Sequence, residues 1–521
     1  MSRPNRFSEV KFIIRGEPDP ILPTDATKPA SRHCLVSNRP LARALFLGLV
    51  VFALVFVCRN IVQLRPSPQV LVPIIPDEPP VPRQPPLYDE YYLNEERLPQ
   101  HDPNLPFPEG RTGRYINMEN FVITSGWGNA MQELLLDAHV AYKSGRSFVF
   151  YPYTWNLDGS NSSQYGDHLI PSRIPLTAIL AGPVVGQLFP DQNQPTPRAV
   201  IKTYFDKVCP RPTVISTHNI SDHLENDATA KRILDAWTDK LNIIADNCVT
   251  IDRASSEQIF TFWVFGAAER ILPIWPSFST SPVLTHFRWS HLIHRAFNAN
   301  VHLFSSVPYL ALMRSLGPSL PPLLKDTYPH LIPSKYIYAP LPDLLVLHVR
   351  RGDFVDHCNG LSNWGSMWNG FNRFPEFLDK FALPPGYTPD GSEAPPHARA
   401  HYLKHCFPSI PQIVEKIADV LKDPANGGLK YVYVMTNGDR GWVQELKEAL
   451  GGMEDGKRWQ KIATRRDLEL DWEQTFVSQA VDMLIGQRAQ VFIGNGFSSM
   501  TSNIVTLRMA NGFDPSSNRF W

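Results

Sequence analysis

From Asp343 onward the chain alternates between two patterns. LLVLHV (344–349), YVYVMTN (431–437) and QVFIG (490–494) are near-continuous apolar runs, as expected of strands covered on both faces. IPQIVEKIADVLKD, GWVQELKEALGG, TFVSQAVDMLIGQRA and SSMTSNIVTLRMANG carry the helical period instead. Strand and helix in turn predict a parallel α/β sheet with helices on both faces. A second unit of this kind is predicted near residue 120. FVIT reads as a strand, SGWGN as a glycine turn, the next segment as a helix and SFVFYP as another strand. Met131, Leu134, Leu135, Ala138 and Tyr142 share one face of that helix, and Gly145 is its stop. From about 155 to 335 proline clusters break the pattern, and only stretches such as DATAKRILDAWTDKLNII read as helix. The expectation is two lobes, 111–340 and 341–521, meeting near Tyr338 to Asp343.

The first hundred residues read differently. ALFLGLVVFALVFVC, Ala44 to Cys58, is apolar on every face and flanked by Arg43 and Arg59; with snorkelling arginines a span of 44–64 is long enough to cross a thin membrane. It starts too far into the chain for a signal peptide and lacks a clean cleavage site, so an uncleaved anchor is expected. Residues 1–43 hold eight Lys and Arg, which predicts a cytoplasmic tail and a lumenal body. The stretch 65–110 is proline-rich and reads as a semi-rigid stem, with YDEYYLNEERL as a solvated patch within it.

Composition narrows the function. Lys plus Arg and Asp plus Glu are 50 each among 521 residues, so nothing favours a nucleic-acid partner, and an anion site must be a local concentration of charge. Cys34 and Cys58 fall in the tail and anchor. Cys209, Cys248, Cys358 and Cys406 fall in the lumenal part, where chain order suggests Cys209 with Cys248 and Cys358 with Cys406. The His-Cys contexts at His357 and His405 leave zinc as a weaker alternative. Asn161 and Asn219 head glycosylation sequons.

Ligands of parallel α/β sheets bind beyond the carboxyl ends of the strands. LLVLHV ends there in HVRRGDF. Strand alternation puts His348 and Arg350 on one face and Arg351 on the other, so one arginine can serve a ligand while the other pairs locally, for example with Asp353. The RGD tripeptide is read as chance. The second strand end, GNGFSSM, brings Gly494, Asn495 and Gly496 before a helix opened by Ser498 and Ser499, a pattern suited to a phosphate. Asp482 is a carboxylate in an apolar run and could meet a nucleobase edge. No Walker sequence is present, and no strand runs into D-x-D; Asp467, Glu469 and Asp471 come nearest. A bound diphosphate is therefore expected to be neutralised by side chains and helix ends, with no metal cofactor.

In ordered blocks the chain resembles the GDP-fucose protein O-fucosyltransferases. SGWGNAMQ is similar to the family's G-x-x-G-N-Q-type loop with Asn129 on its Asn; HVRRGDF to H-[LV]-R with Arg350 on its Arg; YVYVMTNGD to its strand ending in T-[DN]. VDMLIGQRAQVFIGNGFSSMTSNIVTLR with the later PSS is similar to its C-terminal block. The resemblance implies a GT-B fold, two Rossmann-like lobes facing a cleft, and metal-independent inverting transfer from GDP-fucose to a protein or glycan hydroxyl. It places Asp482 and His348 on guanine, Arg350 on the β-phosphate, Ser498 and Ser499 on the diphosphate, and Asn129 beside fucose and acceptor, with Gly128 and Asn495 in the binding set. The first loop is one residue shorter than the form compared and lacks a carboxylate before its glycine, so Glu133 and Asp353 stand as weak candidates for a base. A single-pass type II protein of the Golgi or endoplasmic reticulum is the expected whole. The alternatives are a same-fold transferase using another donor, or a lumenal GDP-sugar-binding protein without turnover.

Overall fold

The computed structural model describes residues 84–166, 168–190, 196–306, 332–453 and 459–521. The tail, the anchor and the stem up to residue 83 lie outside them; among the described residues no helix is long and apolar enough to cross a membrane. A compact body runs from Pro85 to Trp521.

Two five-stranded parallel sheets organise that body. The first contains β1 (Tyr115–Met118), β2 (Ser147–Phe150), β3 (Val200–Ile201), β4 (Thr213–Ile215) and β5 (Cys248–Ile251), in the order β3-β2-β1-β5-β4. The second contains β6 (Leu341–Val349), β7 (Tyr431–Thr436), β8 (Lys461–Thr464), β9 (Ala489–Gly494) and β10 (Asn518–Phe520), in the order β8-β7-β6-β9-β10. In the second sheet Leu344 to Val349 are all buried, as a central strand covered on both faces requires. The strand order reverses between β6 and β9, and between β1 and β5 in the first sheet. Such reversals open crevices beyond the strand ends.

Among the helices are α1 (Trp127–Lys143), α2 (Ala230–Ile243), α3 (Phe354–Asn363), α4 (Pro396–Cys406), α5 (Ile410–Leu421), α6 (Arg440–Gly451), α7 (Ser478–Gln487) and α8 (Ser499–Ala510). In α1 Met131, Leu135 and Ala138 are buried as expected, but so are Glu133, Asp137 and His139. The helix is covered on more than one side. Trp289 ties the lobes together from its short strand, donating its indole N–H to Gln487 Oε1 of α7 at 2.7 Å.

Four expectations need correction. FVIT is not a strand: β1 ends at Met118, and SGWGN is no free turn, because α1 already begins at Trp127. TFVSQAVDMLIGQRA is two helices, Trp472–Phe476 and α7; Asp471 and Gln474 form a capping box on the first, and Val477 lies between them out of helical geometry. Nor is the end of the stem a solvated linker. Asp89–Glu96 is helical, Tyr88 is buried with its hydroxyl donating to Glu473 O at 2.7 Å, and Glu95 accepts from Thr177 N and Oγ1. The folded body therefore starts near 85 and not at 111.

The structure joins Cys209 to Cys248 and Cys358 to Cys406, the pairing suggested by chain order, so the latter two cysteines hold no zinc. Asn161 and Asn219 are both exposed.

Candidate functional site

The crevice of the C-terminal lobe lies where β6 and β9 end side by side. His348 is the last inward side chain of β6. Its Nδ1 lies 2.8 Å from Thr501 Oγ1, which also accepts from Asn495 N at 3.1 Å, and its carbonyl accepts from the Trp521 indole at 2.8 Å. Burial, with help from the Arg350 charge, pushes the imidazole down to about 3, so it is neutral.

Arg350 leaves the strand end with its guanidinium 4.5 Å over the Phe354 ring. Its Nε and Nη2 are buried and have no hydrogen-bond partner. Asp353 acts on it electrostatically, and burial lowers its pKa from the ordinary arginine value. Orphaned, buried N–H groups on a cation are costly, and a ligand anion would satisfy them.

Arg351 differs from the expected local ion pair with Asp353. It points away and is sandwiched at 4.3 Å from the Phe407 ring and 4.1 Å from the Trp442 ring, donating to Pro408 O. Two aromatic faces and a carbonyl take the charge in place of a carboxylate, while Asp353 lies in the field of Arg350 instead.

α8 opens at the same place. Ser498 is its N-cap residue and makes no side-chain cap bond, so its hydroxyl does not occupy the first-turn N–H groups. Ser499 is half-buried beside it. Gly494 is required here because a Cβ would lie 2.4 Å from Thr501 Cγ2, the methyl of the residue that orients His348. Asn495 was expected to bind substrate, but its side chain is used internally: Nδ2 donates to Cys406 O at 2.7 Å and Oδ1 accepts from Phe497 N at 3.0 Å. Asp482 is buried in α7, accepting from the Tyr433 hydroxyl at 2.6 Å, and burial raises it to about 6.

The N-terminal lobe contributes the start of α1. Asn129 is half-buried and donates to Ser125 Oγ at 3.1 Å. Gly128 is a packing residue and not an evident ligand contact: a Cβ there would lie 2.7 Å from Ser499 Oγ and 2.8 Å from Met500 N, and its carbonyl accepts from Asn503 Nδ2 at 2.7 Å. The two helix starts thus touch, bringing Asn129 to the crevice that holds Arg350, His348 and Ser498. The disulfide Cys358–Cys406 braces α3, which follows directly on Arg350, against α4. Thr501, Trp521 and Phe354 complete the site, and nothing in their sequence spacing marks them.

The acidic stretch near 467 is structural. Asp467 pairs with Lys447 at 2.8 Å and caps Thr464, and Asp471 caps a helix. Among the described residues no group of three or more His, Cys, Asp or Glu could hold a metal ion.

Residues 331–511 match the family model described as GDP-fucose protein O-fucosyltransferase. No curated protein matches the sequence. Crystal structures of POFUT1 with GDP-fucose and with GDP align over 78% of this chain and 97% of theirs, at 14% identity and a TM-score of 0.40. The apo form aligns over the same shares at 15% identity and a TM-score of 0.38.

Proposed function

Taking residues 331–511 as a glycosyltransferase domain of the GDP-fucose protein O-fucosyltransferase family, we propose that the chain transfers fucose from GDP-fucose to a protein or glycan hydroxyl, with inversion and without a metal ion. In this reading it is a GT-B enzyme, anchored by residues 44–64 with its body in the lumen of the Golgi or endoplasmic reticulum. Two disulfides and two exposed sequons support the lumenal side.

One observation carries the proposal: the buried, unpartnered N–H groups of Arg350 at the strand crossover, beside the open start of α8. As the bond from the anomeric carbon to the β-phosphate oxygen breaks, negative charge collects on GDP. A guanidinium and helix-end N–H groups already in place bind that charge more strongly in the transition state than in the ground state. Neutral His348 and Asp482 would address guanine, and Asn129 the fucose and acceptor.

The test is a thermal-shift titration of the full-length protein with GDP, with and without EDTA, alongside transfer assays with GDP-fucose, GDP-mannose and UDP-sugars. Stabilisation by GDP that EDTA does not change, and turnover with GDP-fucose alone, is the expected result. A requirement for metal, or wild-type turnover by Arg350→Ala, would overturn it.

A further inference from the structure

Transfer to a hydroxyl releases a proton, and two carboxylates placed near the crevice are engaged elsewhere. Asp482 is engaged by Tyr433, and Asp353 lies in the field of Arg350. A different pair sits on the acceptor-side lobe. Glu133 and Asp137 are one turn apart on α1, each 4% exposed, and Glu133 is one turn beyond Asn129 on the same face. Both line a partly open cavity of about 50 Å³ at the carboxyl ends of β1 and β2, walled by Phe121, Trp127, Tyr151 and Tyr153. That is room for water or a small hydroxyl-bearing group. Glu133 Oε2 is fixed by Val122 N at 2.6 Å, whereas Asp137 Oδ1 is buried with no partner.

We propose that Glu133, backed by Asp137, is the base of the reaction: it takes the proton of the acceptor hydroxyl that enters or borders this cavity. The acceptor oxygen bonds to the anomeric carbon, the bond to the β-phosphate oxygen breaks with its electron pair leaving on GDP, and the hydroxyl proton ends on the Glu133 carboxylate, later lost to solvent. This rests on the reading of the chain as a GDP-fucose transferase. Desolvation, and the like charge of Asp137 on Glu133, raise the pair well above the ordinary carboxylate range, toward the pH at which a base works best. Arg253, reaching from beyond β5 to donate to Phe121 O, is the cation that opposes this rise on Glu133, and Tyr151 and Tyr153 are held protonated by burial.

The test uses full-length protein and GDP-fucose with water as acceptor, so that no natural acceptor is needed. Glu133→Gln should slow donor hydrolysis by about 10²- to 10³-fold, leave GDP affinity within about twofold, and recover turnover in azide, an anionic nucleophile that needs no base. Near-wild-type hydrolysis, a loss that azide does not restore, or a wild type that binds GDP yet never hydrolyses the donor would each overturn the assignment. Should Glu133→Gln fail to fold, Asp137→Asn serves: removing the like charge should move the acid limb of the pH–rate profile to lower pH, and an unmoved limb overturns the proposal. Failure of the wild type to bind GDP would instead refute the donor reading.

Discussion

The Asn503 side chain donates to the carbonyl of Gly128 at 2.7 Å, joining α8 of one lobe to the first turn of α1 in the other. This bond and the missing Cβ of Gly128 let two helix starts meet at the crevice. Gly128→Ala would place a methyl 2.7 Å from Ser499 Oγ, which can rotate aside, and 2.8 Å from the backbone Met500 N, which cannot retreat without moving α8. It should cost about 1–3 kcal/mol of stability and weaken GDP binding as well. Asn503→Ala removes this second bond to a helical carbonyl and should cost about 0.5–1.5 kcal/mol. Chemical denaturation and GDP titration of the two variants check both statements, and a Gly128→Ala protein with wild-type stability would contradict the first.

Adjacent arginines should fail differently. Arg350→Lys keeps a charge but loses the planar fork, and turnover should fall by about 10²- to 10³-fold with the melting temperature little changed. Arg351→Lys loses the sandwich between Phe407 and Trp442 and should instead cost about 1–3 kcal/mol of stability, with GDP affinity of the folded fraction retained. Melting temperature and turnover measured on both variants decide the matter; equal effects on both readouts would refute the division of labour.

The second lobe was legible at β6 and β7, whose apolar runs from Leu344 and from Tyr431 are six residues long and set between amphipathic helices, but not at β8 and β10, of four and three residues. The first lobe was legible only at α1, α2 and β2. β3 is two residues and β4 three, too short for any period to register, and β1 reads YINM while the β-branched FVIT beside it is irregular. For the candidate site, strand-end logic pointed to Arg350, His348, Ser498 and Ser499, since each lies within a few residues of an apolar run. Arg351 was misjudged because aromatic partners at Phe407 and Trp442 come from distant segments, and Asn495 because its amide is taken up by Cys406 O, 89 residues away in sequence. Thr501 and Trp521 act on His348 through space, so composition and spacing hold no trace of them.

The disulfide Cys358–Cys406 pins α3, the helix that follows Arg350, to α4 across a loop of 48 residues. A double Cys358→Ala, Cys406→Ala variant should lose about 2–4 kcal/mol, since both sulfurs are buried in a small cluster of their own with Leu361, Leu403 and Phe497 around it. With α3 less firmly held, Arg350 and its Phe354 platform should sample more positions, so GDP affinity should fall further than in a variant of Cys209 and Cys248, whose bond lies in the other lobe. Isothermal titration of both double variants with GDP makes the comparison; equal affinities would mean that α3 is held without the bond.

Stability should fall as pH rises from about 7.5 to 9. Burial raises Glu95 to about 7 and holds the Glu133–Asp137 pair above the usual carboxylate range. Each group binds its proton more tightly folded than unfolded, so its contribution is complete below the unfolded value near 4 and is lost as pH climbs through the folded value. Buried histidines work the other way. His139 and His348 are pushed to about 3, and His294 and His357 to about 4, so the folded protein keeps them neutral and loses stability as pH falls below the unfolded value near 6.5. Below about 7.5 the two sets oppose one another, because unfolded histidines still bind protons for about a unit above their value near 6.5; beyond that these histidines are silent in both states and the carboxyls act alone. Denaturation at about pH 7.5, 8.2 and 9 should therefore give steadily lower stabilities. Asp137→Asn, which cannot ionise, should flatten that slope, and an undiminished slope would show that Asp137 is not protonated in the folded protein at about pH 7.5.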